Sequence, residues 1–425
     1  MVTNKNRVVI TGLGVVSPNG IGIKNFLKSI EKGTSGLEYI TELDELGLKC
    51  KVAGIPKLDD ELINKILPSS LLKRIEASNI LYGLIAGLEA WSNANLIVND
   101  KVDWDSGVIM GSQTIDGNFA REILNKIYLE DIRKLSARTA EQAITSSTSS
   151  YLSGYLGLGN CSISNSSACT TGTESIYMGY RKIKNGEAKR MLVGSSEGNS
   201  PFIWSTLDKL RVLDSSSNSS PEKASKPMSK HAKGLVPGCG AAALVLESLD
   251  SALERNAEIY GEIIGGHNNC GGQRTGGSMT NPNFEGMLRC IKSALIESKI
   301  SPNSVDLISG HLTGTYVDPI EVKLWKTALN CKKEDFPYIN SLKSMTGHCL
   351  GASGSIEFVA AILQLYNDFI HPSINCEEIN EEILSYLESE KIPSIKVKKK
   401  MTYIAKANFG FGDLNTCLIL KKYKK

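Results

Sequence analysis

The 425-residue chain has no CxxC pair, almost no excess of either charge, only five histidines and no apolar run long enough to cross a membrane. Each shortage excludes a class of function. Its ten cysteines (Cys50, Cys161, Cys169, Cys239, Cys270, Cys290, Cys331, Cys349, Cys376 and Cys417) are irregularly spaced. That argues against a disulfide framework or a zinc site, and for a reducing compartment. Lysine and arginine number 48 against 45 acidic residues, so charge gives no sign of nucleic-acid binding, and an acidic partner would have to be met by a local basic patch. The amino-terminal RVVITGLGVV is apolar, but Gly12, Gly14, Pro18 and Gly20 supply turn signals around it. It reads as a buried strand of a cytoplasmic protein, not as a membrane span.

A hydrophobic content of 41% with 22% charged residues is that of a globular chain, long enough for two domains with a substantial core. Runs rich in β-branched residues alternate with helical patterns, which favours a layered α/β fold. RVVITGLG, GVIMGS, KRMLVGSSEG, AAALVLESL, IYGEIIGG and VDLISGH read as strands, and ASNILYGLIAGLEAWSNAN and NFEGMLRCIKSALIESKI as amphipathic helices. RVLDSSSNSSPEKASKP is a surface loop ahead of a strand, and a boundary after that strand divides the chain into 1–250 and 251–425. Similarity between the two parts is too weak to read as a repeat. The lysine-rich KVKKK and KKYKK are solvated charge. GLGVVSPNG invites a dinucleotide-binding reading, but its third glycine falls at Gly20, too late for that fingerprint.

Cys169 lies in SSACTTG, among residues no larger than threonine. Most intracellular cysteines are inert core residues, but this one has particular neighbours. NCSISNSSAC reads as a strand, and TTGTESIYMGYRKIKNG as a helix with Ile176, Tyr180 and Ile183 on one stripe. The thiol would then sit at a strand-to-helix turn, where the helix dipole and free N–H groups favour a thiolate and can hold an oxyanion. Of the histidines, His311 in SGHLTGTYVDPIE and His348 in SLKSMTGHCLGASGSIE occupy glycine-rich turns, with Lys343 five residues before His348. A Cys/His site and a purely structural role both fit these residues taken alone.

SSACTTG, GHLTGTYVDPIE, KSMTGHCLGASGSIE and NFGFGDLN stand in the order and approximate spacing of the β-ketoacyl-acyl-carrier-protein synthases, the condensing enzymes of fatty acid and polyketide synthesis. RVVITGLGVVSPNG and SKPMSKHAKGLVPGCGAAALVLE also resemble that family, so the likeness runs nearly end to end. It implies a thiolase-like, five-layered αβαβα fold of two similar halves, the first carrying the nucleophile and the second the two histidines. By motif match, Cys169 would take an acyl chain from acyl carrier protein, and His311 and His348 would bind the malonyl thioester and stabilise the enolate left by decarboxylation. Lys343 and Glu357 resemble the supporting pair around the second histidine. Phe411 matches the residue whose backbone N–H, with that of Cys169, completes the oxyanion hole and whose ring gates the acyl pocket. Thr313, Thr315 and Phe409 fall in the substrate-facing loops. Lys73 and Arg74, in SLLKRIEAS, lie in a segment comparable to the carrier-docking one. No metal or cofactor is implied. The family also implies a homodimer, or a heterodimer with a sister subunit.

Several positions depart from the family pattern. Leu312 stands where glycine is usual, the stretch from Thr315 to Asp318 is one residue short, and Cys239 replaces a glutamate. Asp413 and Leu414 replace glycine and threonine. The departures spare the reacting groups and suggest a specialised branch, such as aryl polyene or other secondary-metabolite synthesis. The rival readings are a non-catalytic chain-length-setting subunit, which would lack Cys169; a thiolase, which needs a second reactive cysteine where Cys417 sits in an apolar strand; and a Cys/His hydrolase.

Overall fold

The computed structural model describes residues 6–72, 75–98 and 100–424. The elements that position the site are β1 (Val8–Ser17), α1 (Ser78–Asn93), β2 (Ser106–Gly111), β3 (Ser162–Ile163), α2 (Thr171–Lys184), β4 (Arg190–Glu197), β5 (Gly240–Ser248), β6 (Gly261–Cys270), α3 (Phe284–Ser298), β7 (Leu307–Ser309), α4 (Val317–Leu329), β8 (Tyr338–Asn340), α5 (Ser353–Asn367), β9 (Tyr403–Gly410) and β10 (Leu414–Lys421). Every residue of β1 and β5 is buried, as expected of strands covered on both faces, whose sequences read as continuous apolar runs. No helix among the described residues is long and apolar enough to cross a membrane.

The strand ladders carry a repeat that residue identities conceal. In the first half the order is β1–β5–β4–β2–β3, with two antiparallel pairings followed by two parallel ones. In the second it is β6–β10–β9–β7–β8, with the same sequence of senses. The two sheets join where Val8, Val9 and Ile10 pair with Ile263, Glu262 and Gly261. Helix α1 covers β1, β5 and β4 on one outer side, α3 and α4 cover the second sheet on the other, and α2 and α5 pack together between the sheets. The result is the expected αβαβα layering, with one buried core between the two sheets and one beneath each outer helix layer.

Two local readings of the sequence are corrected. Gly12 and Gly14 are not turn residues: they lie inside β1, where a Cβ would come within 2.2 Å of the Ala90 carbonyl and 2.0 Å of the Ala86 carbonyl. They let α1 rest directly on the strand. NCSISNSSAC is not one strand, since only Ser162–Ile163 joins the ladder. Beyond it, Ser164 donates to the Met110 and Thr145 carbonyls, and Asn165 to the Thr171 carbonyl and Glu174. Polar side chains that bond locally compete with strand pairing.

The repeat extends to the approach to each central helix. A single 3₁₀ turn precedes α2 at Ala168–Thr170 and α5 at Leu350–Ala352. In both turns a non-glycine residue adopts a left-handed conformation, Ala168 at φ 47° and Leu350 at φ 49°, which costs roughly 1–2 kcal/mol. Cys169 is therefore the counterpart of Gly351. The two helices cross at their first turns, where a Cβ on Gly172 would lie 2.5 Å from the Ser355 amide nitrogen and one on Gly354 would lie 2.6 Å from that of Thr173. Because backbone cannot yield there, Gly172→Ala is expected to lower the unfolding free energy by about 1–3 kcal/mol. Denaturant titration checks this; an unchanged midpoint would mean that the crossing is looser than described.

Candidate active site

The crossing brings together the ends of several elements. Cys169 precedes α2, His311 follows β7, and His348 lies between β8 and α5. The Cys169 sulfur and ring nitrogens of His311 and His348 all lie within 4.8 Å of one another. The two imidazoles meet edge to face with centroids 5.4 Å apart, and Phe409 stands edge-on to His311 at 6.2 Å. Both histidines are buried, while Cys169 is partly open to a cavity of about 450 Å³. Thr313, Thr315, Phe409, Gly410 and Phe411 also line this cavity.

Hydrogen bonding fixes the tautomer of each ring. The Asn408 amide nitrogen donates to Glu357 at 3.0 Å, and its oxygen accepts from Thr173 at 2.5 Å. A carboxylate only accepts, so this amide orientation is forced, and the same NH₂ group faces His311 Nδ1 at 3.1 Å. Lys343 Nζ, a second donor, lies 3.5 Å from that nitrogen. His348 Nδ1 accepts from the Leu350 backbone N–H at 3.0 Å and sits 2.9 Å from the Ser353 hydroxyl. With Nδ1 facing donors in both rings, each ring carries its proton on Nε2. Burial first, and Lys343 second, pull His348 down to about 3 and His311 well below its ordinary value. The site therefore holds two neutral imidazoles, each with an Nε2–H to donate. Cysteine and two histidines at this spacing could in principle ligate a metal, but an Nε2 that carries its proton has no lone pair to offer.

Behind His311 lies a buried ionic cluster. Lys343 donates to Glu357 and, at 2.5 Å, to the His311 carbonyl, while Lys406 lies 2.8 Å from the other Glu357 oxygen. Burial alone would raise the Glu357 carboxyl; Lys343 and Lys406 override it and hold it at about 2. The hydrogen bonds of Lys343 and Glu357 thus run to the His311 side of the site, not to the second histidine with which the family likeness had associated them. Lys406 and Asn408 were not singled out in the sequence. A signal existed, since Lys406 interrupts the apolar run of β9, and a charge inside a doubly covered strand requires a partner.

Cys169 also differs from expectation. Burial pushes its thiol up to about 11, with Lys343 and the Phe411 backbone N–H, which faces the sulfur, acting in the opposite direction. Desolvation outweighs the helix terminus, so the resting group is a thiol. A Cβ on Gly410 would lie 3.0 Å from the Cys169 amide nitrogen, so glycine lets the 409–411 strand end approach the Cys169 turn. Leu312 takes the glycine position at φ 22°, held by a 2.8 Å bond from its N–H to Glu321 and by complete burial of its side chain. The shortened loop is organised by Asp318, which accepts from the Thr313, Gly314 and Thr315 amides and from that of Met228. Cys239 and Cys417 are buried core residues. Lys73 and Arg74 lie outside the described residues.

The comparisons with known proteins agree over the whole chain. The family described as "Beta-ketoacyl synthase, N-terminal domain" matches residues 5–252, and "Beta-ketoacyl synthase, C-terminal domain" matches 260–377. The chain is 32% identical to "3-oxoacyl-[acyl-carrier-protein] synthase 2" of Coxiella burnetii, over 98% of this chain and 99% of that protein. It is 34% identical to "3-oxoacyl-[acyl-carrier-protein] synthase 1" of Buchnera aphidicola subsp. Acyrthosiphon pisum, over 98% and 100% respectively. A ketosynthase solved as "AntDE:AntF (apo): type II PKS acyl-carrier protein in complex with its ketosynthase bound to the hexaketide" superposes with a TM-score of 0.87 at 28% identity, covering 99% of this chain and 100% of that one.

The buried imidazoles make stability depend on acid. His348 at about 3 and His371, another buried ring, at about 4 both lie below the unfolded value of 6.5. Below pH 6.5 the unfolded chain takes up protons that the folded chain refuses, so stability is full above that pH and falls as the pH drops toward the folded values. Each ring contributes up to about 1.4 kcal/mol per pH unit. His371→Gln, outside the site, is expected to flatten the slope of unfolding free energy against pH by one proton. An unaltered slope would show that His371 is not held neutral.

Proposed function

Since the chain belongs to the β-ketoacyl synthase family, we propose that it is a 3-oxoacyl-acyl-carrier-protein synthase, an acyltransferase that extends an acyl chain by decarboxylative Claisen condensation. The observation that carries this reading is the cluster of one thiol and two imidazoles within 4.8 Å at a shared cavity. The Cys169 sulfur attacks the thioester carbon of an acyl group brought by acyl carrier protein. The bond to the carrier sulfur breaks, and the thiol proton leaves with that sulfur. Because burial pushes the thiol up to about 11, the proton is moved during attack and not beforehand.

Malonyl-carrier then occupies the vacated space with its thioester oxygen toward the two Nε2–H groups. Loss of CO₂ leaves an enolate whose oxygen these neutral donors stabilise, which avoids the need for a strong base. The enolate carbon attacks the Cys169 thioester, and the resulting oxyanion is held by the backbone N–H groups of Cys169 and Phe411. Collapse expels the Cys169 sulfur, which takes a proton from water, and the product leaves as a 3-oxoacyl thioester on the carrier. Confinement of both partners makes the bond-forming step effectively intramolecular. Thr313, Thr315 and Phe409 form the wall along the thioester arm, and the Phe411 ring gates the acyl side. The presence of Cys169 favours this reading over a non-catalytic chain-length-setting subunit.

The reaction serves fatty acid, aryl polyene or related polyketide synthesis in the cytoplasm. The acidic carrier docks on a surface that includes Lys73 and Arg74. A second copy of this chain covers the apolar band of Leu124, Tyr128, Leu129, Ile132 and Ile144, of which Tyr128 and Leu129 are each 78% exposed. It also covers the free edge of β3, at the end of the sheet. Purified protein supplied with acyl- and malonyl-carrier is expected to release CO₂ and form a 3-oxoacyl product, and Cys169→Ala to lower condensation by about 10³-fold or more. Full condensation by that variant would refute the nucleophile.

A further inference from the structure

Asp413 is one of the departures from the family pattern, and the reaction as derived leaves it without a task. It is 1% exposed, lines the cavity and adopts φ 65°, a conformation that favours glycine. Its carboxyl group reaches across to the segment between β6 and α3. Oδ2 accepts from the Gln273 N–H at 2.9 Å, and Oδ1 accepts from the Asn283 N–H at 2.8 Å. The backbone reinforces the link, with the Gly271 N–H donating to the Asp413 carbonyl at 2.9 Å and the Gly412 N–H to the Met279 carbonyl at 2.7 Å. Gly271 leaves room for this contact, because a Cβ there would lie 2.2 Å from Asp413 Oδ2.

The two segments so joined have different duties. Residues 278–282 form one wall of the cavity. Residues 409–411 carry Phe409 beside His311, the glycine against the Cys169 turn, and the Phe411 N–H that faces the sulfur. We propose that Asp413 is a positioning residue: its side chain latches the 271–283 segment to the 409–413 turn, so that the wall setting the cavity's width and the donor serving Cys169 are held as one body. Glycine would satisfy the backbone here but supply neither acceptor. The residue therefore trades an easy conformation for two hydrogen bonds to otherwise unsupported amides, in a stretch where Gln273 and Thr275 are themselves left-handed. The consequence is discrimination by bulk. A latched wall admits narrow acyl groups and slows wide ones, because widening the cavity requires the donor beside Cys169 to move as well. This consequence rests on the condensing reading of the site, whereas the latch itself does not.

The test compares the full chain with Asp413→Gly, which suits φ 65° but removes both acceptors, and with Asp413→Asn, which can keep only one. Hydrogen exchange at the Gln273 and Asn283 amides is measured together with alkylation of Cys169 by iodoacetamide and by a bulky N-aryl iodoacetamide, using Cys331 as the internal reference. The latch predicts exchange at both amides at least about fivefold faster in Asp413→Gly, the equivalent of roughly one hydrogen bond's net contribution. It also predicts a bulky-to-small alkylation ratio at Cys169 that rises by a similar factor, intermediate values for Asp413→Asn, and a parallel shift of kcat/KM toward wider acyl carriers. Unchanged ratios in a folded Asp413→Gly variant would overturn the proposal. So would exchange that rises uniformly across the molecule, since that marks a general loss of stability. If the exchange and alkylation arms respond as predicted while the unaltered protein yields no condensation product, the latch stands and the proposed reaction falls.

Discussion

The carboxylate of Glu357, caught between the buried amines of Lys343 and Lys406, is the interaction on which the site depends. It lets two amines remain in the buried interior, and it orients Asn408 by accepting from the amide NH₂. Through Asn408 it presents donors, and only donors, to His311 Nδ1. The proton of that ring is thereby sent to Nε2. Removing Glu357 would leave two buried amines without their counterpart, at a cost of about 3–5 kcal/mol. The cluster is thus both a structural brace and the device that sets the polarity of the imidazole.

The internal repeat explains how so many groups reach one point. Two similar halves, each ending a parallel strand pair in a turn before a central helix, place two helix N-termini face to face. In one half the turn delivers Cys169 and in the other Gly351, where a Cβ would lie 2.4 Å from a Glu197 carboxylate oxygen. The second half uses its strand ends for histidines instead. This division of labour brings together side chains that come from distant stretches of sequence yet rest on rigid elements.

Much of this was legible in the residues. β1 and β5 announced themselves because each is covered on both sides and so reads as a near-continuous apolar run, and α2 because Ile176, Tyr180 and Ile183 recur on one face. Cys169, His311 and His348 stood out as scarce residue types in small-residue turns, and the family likeness then joined them. Other features were hidden for physical reasons. The repeat lives in strand order and pairing sense, which residue identity does not encode. Gly12 and Gly14 look like turn residues, because a glycine needed for helix contact cannot be told from one needed for a bend. The resting state of the Cys169 thiol depends on how completely the turn is buried, and the partners of Lys343 on which carboxylate the packing brings within reach. Asp413 could be recognised as unusual from the sequence, but its acceptors find their amides only across the fold.

The central claim is that His311 and His348 are neutral rings protonated on Nε2, ready to donate to a developing enolate. Nitrogen-15 NMR of the histidine-labelled protein, with the two rings assigned by single His→Gln variants, tests it most directly. The account predicts for both rings an unprotonated, hydrogen-bonded Nδ1 and a protonated Nε2 at neutral pH, unchanged down to about pH 5, below the range in which an ordinary histidine titrates. An imidazolium, or a proton on Nδ1, in either ring would contradict it.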